Sequence, residues 1–544
     1  MALFVAANVI TAAVTPLNID RCAGVDGKGN KPVLPTKFTE FQHFFTNLDD
    51  EYGTLYDEQH YFDIGYSVQQ TTDRGYIVVG YTRSHTGGTY RYFVRLIKTD
   101  GNGTMEWNKT FTGLDIAMGY SILQTSDNGY ILTGATTSFN ETDTSYVLLL
   151  KTDSNGNEKW KKTFMIGDGG LGYALQQTSD TGYIIVGYSL SSDLDVLLIK
   201  TDSDGIMEWN TTFDLHDYDY GLSVQQTTDT GYLLTGYTMS FGSESLVRDG
   251  LLIKTDAGGT EEWNKTFRVG KWSAGYSITE AADNGYVVAG DVAFLDDETT
   301  ETSVLLVKID DDGNEEWNAT VGVGDSSAGY SIQRTIDNGY IITGAAISFD
   351  GALDYNADVL LVKTDGGGNE EWNATFDLQE YYDVGLSVQQ TIDTGYIITG
   401  ATGDIDFENI DVLLIKTDGN GTMGWSKTFG WSWSDKSPPT ISITKPTTGL
   451  YFRNKKIKTI LVSRILILGT IDIEANATDN QSGIENVEFY IDDELKANDT
   501  SAPYNYTWIR DRRQFLRHKH VVKVVAYDTA GNSANDEIVV WKFL

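Results

Sequence analysis

Short apolar segments recur along most of the chain with the spacing of β-strands, and no helical periodicity is seen. Val196–Lys200 is apolar almost throughout, which predicts a strand covered on both faces. Glu208–Phe213 alternates, which predicts an outer strand with one packed face and one wet face. Tyr66–Gln70 and Tyr76–Tyr81 are joined by an Asp-x-Gly turn that suits a tight hairpin. The pattern predicts units of four strands.

This unit occurs seven times. The motif Gly-Tyr-Ser-Val-Gln-Gln-Thr, or a close variant, begins at Gly65, Gly119, Gly172, Gly221, Gly275, Gly329 and Gly385, and a Trp follows the same rhythm. Seven such units predict an all-β fold, a seven-bladed β-propeller of four-stranded blades with the recurring Trp, Phe and Tyr packed between blades. A linear β-solenoid is the alternative, although units of about 54 residues are long for one coil.

One segment before the first unit, Glu40–Phe45, matches the pattern of a fourth strand with Phe in place of Trp. We expect it to close the ring beside the last blade, which would remove an exposed strand edge. Donation of this strand to a neighbouring molecule is the alternative and would build a polymer.

The last 108 residues differ in charge from the rest of the chain. They contain 14 Lys and Arg against 13 Asp and Glu, whereas the preceding residues contain 26 against 64. This break marks a domain boundary, and the alternating segments after it predict a β-sandwich. The predicted organisation is an N-terminal extension (1–36), a propeller (37–436) and an immunoglobulin-like β-sandwich (437–544).

Short segments of this last domain resemble the Big-type immunoglobulin-like modules that end many prokaryotic, notably archaeal, surface proteins. The segments are Pro438–Pro446, Ala477–Asn480, Val487–Asp492, Ala502–Tyr504 and Ala526–Asn532. The repeats, with Gly-Tyr-Ile-Ile-Thr-Gly and Ile-Lys-Thr-Asp-x-x-Gly, resemble propellers of large archaeal and bacterial secreted proteins. Both resemblances imply extracellular binding, adhesion or envelope architecture without a defined catalytic set. Tyr451–Lys458 and Asp511–His520 are more basic than the loops of such modules usually are.

Charge and composition exclude several classes. A net charge of −37 argues against nucleic-acid binding, which needs a basic surface. The single cysteine, Cys22, excludes an internal disulfide and a Cys-based zinc cluster. No segment has the length and apolarity of a transmembrane helix. The apolar run at residues 1–15 is either an atypical secretion signal or an ordinary first strand.

Variable loops on one predicted face are the candidate binding site, because binding residues concentrate on loops held by a rigid scaffold. The candidates are Asp217, Tyr218, Asp219, Glu380, Tyr381 and Asp383. Tyr mixed with Asp suits sugars, calcium or a cationic protein, and a merely solvated acidic face is the alternative. No catalytic residue is assigned, because the acids are too numerous to single out a pair and no HExxH, GxSxG or P-loop motif occurs.

The recurring Thr-Asp-x-x-Gly turns are oxygen-rich, which raises the question of calcium. The richest copy is Asp310–Glu315, which lacks the spacing of an EF-hand. A plain hairpin turn is the favoured interpretation, so we expect no cofactor and no metal.

Twelve Asn-x-Ser/Thr sequons indicate a glycosylated, extracellular protein. The main glycosylation candidates are Asn108, Asn140, Asn210, Asn264, Asn318, Asn373, Asn476, Asn498 and Asn505. The sequence therefore predicts a non-catalytic surface protein for adhesion, recognition or assembly of a layer or filament. Its expected partners are surface proteins, glycans or further copies, which would bind through Glu40–Phe45 or the basic C-terminal domain. A carbohydrate-active propeller enzyme is the alternative.

Overall fold

The structure is a computed structural model that describes residues 61–86, 89–111, 116–138, 144–191, 193–241, 246–295, 300–349, 355–378, 382–403, 409–430, 439–458, 464–478, 484–492, 494–500, 502–509, 518–528 and 532–543. Contacts divide the chain into two bodies, Met1–Gly430 and Trp431–Leu544. The predicted N-terminal extension, the strand Glu40–Phe45 and the boundary at 436/437 lie outside the described residues.

Within the first body, each regular element that the structure describes is a β-strand. The strands follow one another in antiparallel groups of four, which we call repeats 1 to 7. Repeats 1 to 4 are β1 (Tyr61–Gln70), β2 (Tyr76–Thr86), β3 (Thr89–Thr99), β4 (Met105–Phe111), β5 (Ile116–Gln124), β6 (Tyr130–Ser138), β7 (Thr144–Thr152), β8 (Glu158–Phe164), β9 (Gly169–Gln177), β10 (Tyr183–Leu190), β11 (Leu194–Thr201), β12 (Met207–Phe213), β13 (Tyr218–Gln226), β14 (Tyr232–Phe241), β15 (Leu246–Thr255) and β16 (Glu261–Phe267). Repeats 5 to 7 are β17 (Trp272–Glu280), β18 (Tyr286–Leu295), β19 (Thr300–Ile309), β20 (Glu315–Val321), β21 (Ser326–Arg334), β22 (Tyr340–Phe349), β23 (Tyr355–Thr364), β24 (Glu370–Phe376), β25 (Tyr382–Gln390), β26 (Tyr396–Gly403), β27 (Asn409–Thr417) and β28 (Met423–Phe429).

The recurring heptapeptide holds neighbouring repeats together. In repeat 1 a β-bulge between Gly65 and Ser67 takes Tyr66 out of the strand ladder. Ser67 Oγ then accepts a hydrogen bond from the backbone N–H of Ile122 in repeat 2, at 3.4 Å. The equivalent Ser387 of repeat 7 accepts one from the N–H of Val68 in repeat 1, at 3.3 Å. The last repeat is therefore bonded to the first as repeat 1 is bonded to repeat 2.

Each tryptophan of the motif packs against the adjoining repeat, as predicted. Trp425 of repeat 7 lies against Tyr76 of repeat 1, with ring centroids 6.0 Å apart. Gly103 in repeat 1 has φ +77°, and a Cβ there would approach the Trp425 ring to 2.6 Å. The Thr-Asp-x-x-Gly turn needs glycine both for this backbone conformation and for this close approach.

A buried lysine in the third strand anchors both hairpin turns of its repeat. Lys200 Nζ lies 2.8 Å from Asp180 Oδ2 and 2.9 Å from Glu208 Oε2. Burial acts to raise the pKa of Asp180, but hydrogen bonds from Lys200, Thr178 and the Gly182 amide lower it to about 2. The corresponding Lys–Asp pair occurs in all seven repeats.

The second body contains two sheets whose facing side chains form one core. The strands are β29 (Thr440–Lys445), β30 (Gly449–Phe452), β31 (Lys455–Lys458), β32 (Ile465–Leu468), β33 (Ile471–Thr478), β34 (Ile484–Ile491), β35 (Glu494–Asp499), β36 (Asn505–Trp508), β37 (Lys519–Asp528) and β38 (Ser533–Phe543). One sheet has the order β29-β33-β36 and the other β31-β30-β32-β38-β37-β34-β35. Ile473 from the first and Phe489 from the second are fully buried in the shared core. This is the architecture of a β-sandwich.

Candidate functional site

The predicted binding residues fall at two junctions between repeats. Tyr218 begins β13, and Asp219 follows it with no exposed surface. Asp383 holds the equivalent buried position in β25. Asp217 is half-buried in the loop before β13. Glu380 and Tyr381 lie outside the described residues, so binding by these two and by the other candidates stays a prediction.

Parallel strand pairing places a second aspartate beside each buried one. Leu194 of β11 pairs with Tyr218 of β13, so the next residues, Asp195 and Asp219, are neighbours on adjacent strands. We call these two aspartates junction pocket 3/4. Pairing of Ala357 with Tyr382 likewise brings Asp358 beside Asp383, which form junction pocket 6/7.

The buried aspartate of each junction pocket holds the loop that precedes it. Asp219 Oδ2 accepts the backbone N–H groups of Leu215 and His216 at 2.6 and 3.0 Å. Asp383 Oδ2 accepts the N–H of Leu378 at 2.6 Å. These oxygens therefore hold the preceding loop segments through hydrogen bonds to their backbone, and they do not face solvent.

Like charges make these pockets electrostatically costly. Burial raises the pKa of Asp195, and the negative charges of Asp193, Asp214 and Asp219 raise it further against one hydrogen bond from Ser191. Burial also raises the pKa of Asp358, as do the charges of Asp377 and Asp383. Asp195 and Asp358 are not among the residues that the sequence pattern predicted for binding. Their signal was a lone carboxylate at the start of an otherwise apolar strand.

At the junction of repeats 7 and 1, a third aspartate pair has an internal cation. Asp63 and Asp411 follow the paired residues Phe62 and Ile410. Arg95 Nη1 lies 3.0 Å from Asp63 Oδ2 and donates to the Phe429 carbonyl at 3.0 Å. Burial raises the pKa of Asp411 to about 6, with Asp63 raising it and Arg95 lowering it.

The Thr-Asp-x-x-Gly turns use their carboxylates for backbone bonding. Asp202 Oδ1 accepts the N–H groups of Asp204 and Ile206 at 2.9 and 2.8 Å. In the richest copy, Asp310 Oδ1 accepts the N–H of Asn314 at 2.7 Å. N–H donors directed at a carboxylate oxygen compete with a cation for it, which agrees with the hairpin interpretation. Across the described ranges, no group of three metal-binding side chains is preformed.

A small cavity lies where the first strands of all seven repeats meet. One residue from each repeat lines it: Tyr66, Tyr120, Tyr173, Leu222, Tyr276, Tyr330 and Leu386. Burial raises the pKa of these tyrosines, for instance that of Tyr173 to about 12, so the phenols stay neutral. The volume of about 50 Å³ has room for one or two water molecules and excludes a sugar ring.

The sequons of the fourth strands are accessible. Asn210, Asn264, Asn318 and Asn373 are exposed in these strands, and Asn108 is half-buried. In the second body Asn476, Asn498 and Asn505 are exposed, whereas Asn140 lies outside the described residues. The exposed asparagines can accept a glycan without unfolding, although their occupancy stays a prediction.

The sandwich geometry of the second body agrees with a sequence-family match. Residues 439–524 match the bacterial Ig domain. This domain is typical of surface or extracellular proteins. In the part of the chain that the structure describes, no helix is of a length and apolarity to span a bilayer.

The solved structures that resemble this chain are distant from it. The β-propeller domain of the Trilobed protease from Pyrococcus furiosus is 8% identical, with a TM-score of 0.38, covering 69% of this chain and 96% of that one. Puromycin hydrolase is 12% identical, with a TM-score of 0.42, covering 72% and 57%. The fibronectin(III)-like modules of Clostridium thermocellum CbhA are 23% identical, with a TM-score of 0.15, covering 19% and 96%. These similarities assign no activity to this chain, and no curated protein matches it.

The bacterial Ig domain has a basic strand at one edge of its larger sheet. All four residues of β31 are exposed, and three of them are lysines: Lys455, Lys456 and Lys458. Lysine on an edge strand discourages sheet-to-sheet aggregation and leaves a cationic strip on the bacterial Ig domain. Asp511–His520, the other basic segment, is described only from His518 onward.

Proposed function

We propose that the seven repeats form a closed seven-bladed β-propeller. Three contacts between repeats 7 and 1 support this proposal: the parallel pairing of β1 with β27, the Ser387–Val68 hydrogen bond and the packing of Trp425 on Gly103. A linear solenoid would leave its first and last units apart. A ring of this kind leaves the loops between strands free to vary on a rigid body.

These features favour a non-catalytic role outside the cell, namely adhesion, recognition, or assembly of a surface layer or filament. The bacterial Ig domain is the observation that carries this proposal, since such domains are typical of surface proteins. The exposed sequons support it. Self-assembly through Glu40–Phe45 or through the basic strand β31 is part of the same proposal, with a cationic strip meeting the acidic repeats of another copy.

Glycosylation is the first test. We expect the intact mass of protein from its native source to exceed the 60.1 kDa of the polypeptide by several glycans, and to fall by one glycan in Asn264→Gln. Thr266→Ser keeps the sequon and should keep the glycan. A mass equal to that of the bare polypeptide would contradict the prediction.

The second test separates a binding protein from an enzyme. We expect polysaccharide screens to show binding or no response, and no release of reducing ends by wild type, Asp217→Asn or Glu380→Gln. Buried Asp219 and Asp383 accept backbone amides of their own loops, which leaves them poorly placed as acid and base. Hydrolysis by wild type that either variant abolishes would favour the alternative, a carbohydrate-active enzyme.

A further inference from the structure

Comparison of equivalent positions at the junctions shows where a positive charge is missing. Next to the aspartate pair of repeats 7 and 1, Arg95 supplies a guanidinium. At the junction of repeats 4 and 5, Arg268 occupies the position after the fourth strand and pairs with Asp249 through two hydrogen bonds. Junction pocket 3/4 has Asp214 at the position of Arg268, so a cation is replaced by a third carboxylate.

Junction pocket 3/4 also contains an unsatisfied buried oxygen. Asp195 is 8% exposed; its Oδ2 accepts a hydrogen bond from Ser191 Oγ at 2.9 Å, whereas its Oδ1 is buried and has no hydrogen-bond partner among the described residues. Its neighbour Asp219 is fully buried on the adjacent parallel strand. No Lys or Arg in the described ranges forms an ion pair with either residue. Two carboxylates side by side in low dielectric are stabilised either by a proton on one of them or by a bound cation.

We propose that junction pocket 3/4 binds a calcium ion through Asp195 Oδ1 and Asp219 Oδ1, the two oxygens that accept no hydrogen bond from the described residues, with the exposed Asp214 nearby. The donors are hard carboxylate oxygens, which favour Ca²⁺ over Zn²⁺. Because no third side chain among the described residues is preformed as a ligand, water and backbone carbonyls would complete the shell. Such a partial shell fits the affinity of extracellular modules, with Kd of roughly 10⁻⁴ to 10⁻³ M. The ion would restrict the motion of the loop before β13. This proposal does not depend on the proposed function.

Isothermal titration of the full chain with CaCl₂ tests the site. We expect Asp195→Asn to bind one ion fewer per chain than wild type, and 10 mM Ca²⁺ to raise the Tm of wild type by about 2 to 4 °C more than that of the variant. Asp249→Asn is the matched control, because Arg268 already neutralises that junction. It should bind as many ions as wild type.

Terbium luminescence guards against a misfolded variant. Tyr218 adjoins the pocket and can sensitise bound Tb³⁺, so wild type should show an emission that Ca²⁺ displaces and Asp195→Asn should lose it. Equal calcium stoichiometry in wild type and Asp195→Asn would overturn the proposal. So would the absence of binding by wild type at 10 mM Ca²⁺, even if Asp195→Asn proved more stable.

Discussion

Gly236→Ala is expected to lower the free energy of unfolding by about 3 kcal/mol. Gly236 lies in β14, opposite the bulge of β13 between Gly221 and Ser223. A Cβ at position 236 would lie 1.7 Å from the Tyr220 carbonyl oxygen, which is backbone and cannot rotate away. Relief requires separation of two hydrogen-bonded strands. Urea denaturation followed by circular dichroism measures the loss.

Gly258→Ala is the matched control for this substitution. Gly258 lies in a turn with an ordinary φ, and a Cβ there would meet only Asp256 Oδ1 at 3.4 Å. We expect its stability to stay within about 0.5 kcal/mol of wild type. Equal effects of the two substitutions would show that the Tyr220 carbonyl oxygen does not exclude a side chain at position 236.

Arg95→Leu is expected to cost about 3 to 5 kcal/mol at pH 7, because it leaves buried carboxylates without their cation. Arg95 and Asp63 side chains are 4% and 0% exposed. The six other repeats have Leu at this position, so the size and shape of the new side chain are suitable. The double variant Arg95→Leu/Asp63→Ala should recover most of the loss, and failure to recover would point to steric damage instead.

The Arg95→Leu effect should also depend on pH. The pKa of Asp411 is raised to about 6 in the folded protein, against about 3.9 when unfolded. Stability from protonated Asp411 is therefore present below about pH 4 and lost as the pH rises through about 6. Removal of Arg95 raises this pKa further. Arg95→Leu should thus lose less stability at pH 5 than at pH 7, as thermal unfolding at both values would show.

The sequence contained enough to predict the strands and the packing between repeats. Hairpin chemistry at Asp180–Gly182 and alternation in Glu208–Phe213 are local signals, and both segments fold as expected. Trp425 was predicted to lie between repeats because aromatic side chains at one face of an outer strand must be covered.

The site was harder to predict because it depends on contacts between repeats. Strand β13 begins at Tyr218, earlier than the motif suggested, so Asp219 belongs to a buried strand instead of an exposed loop. Its neighbour Asp195 is 24 positions away in the chain, and only the parallel register of β11 and β13 brings the two together. No local pattern specifies that register.

One repeat lacks the serine that forms a hydrogen bond to the next repeat. Repeat 3 has Ala174 where the other motifs have serine, so the amide of Val224 lacks the bond that Val68 and Ile122 receive. This gap falls at the same junction as the repelling Asp195 and Asp219. Glutamine side chains still join the two repeats here, because Gln176 Oε1 accepts the N–H of Gln226 at 2.6 Å and Gln226 Oε1 accepts the N–H of Ser179 at 2.8 Å. The junction therefore keeps its hydrogen bonds near the hairpin turns and loses one in the middle of the strand.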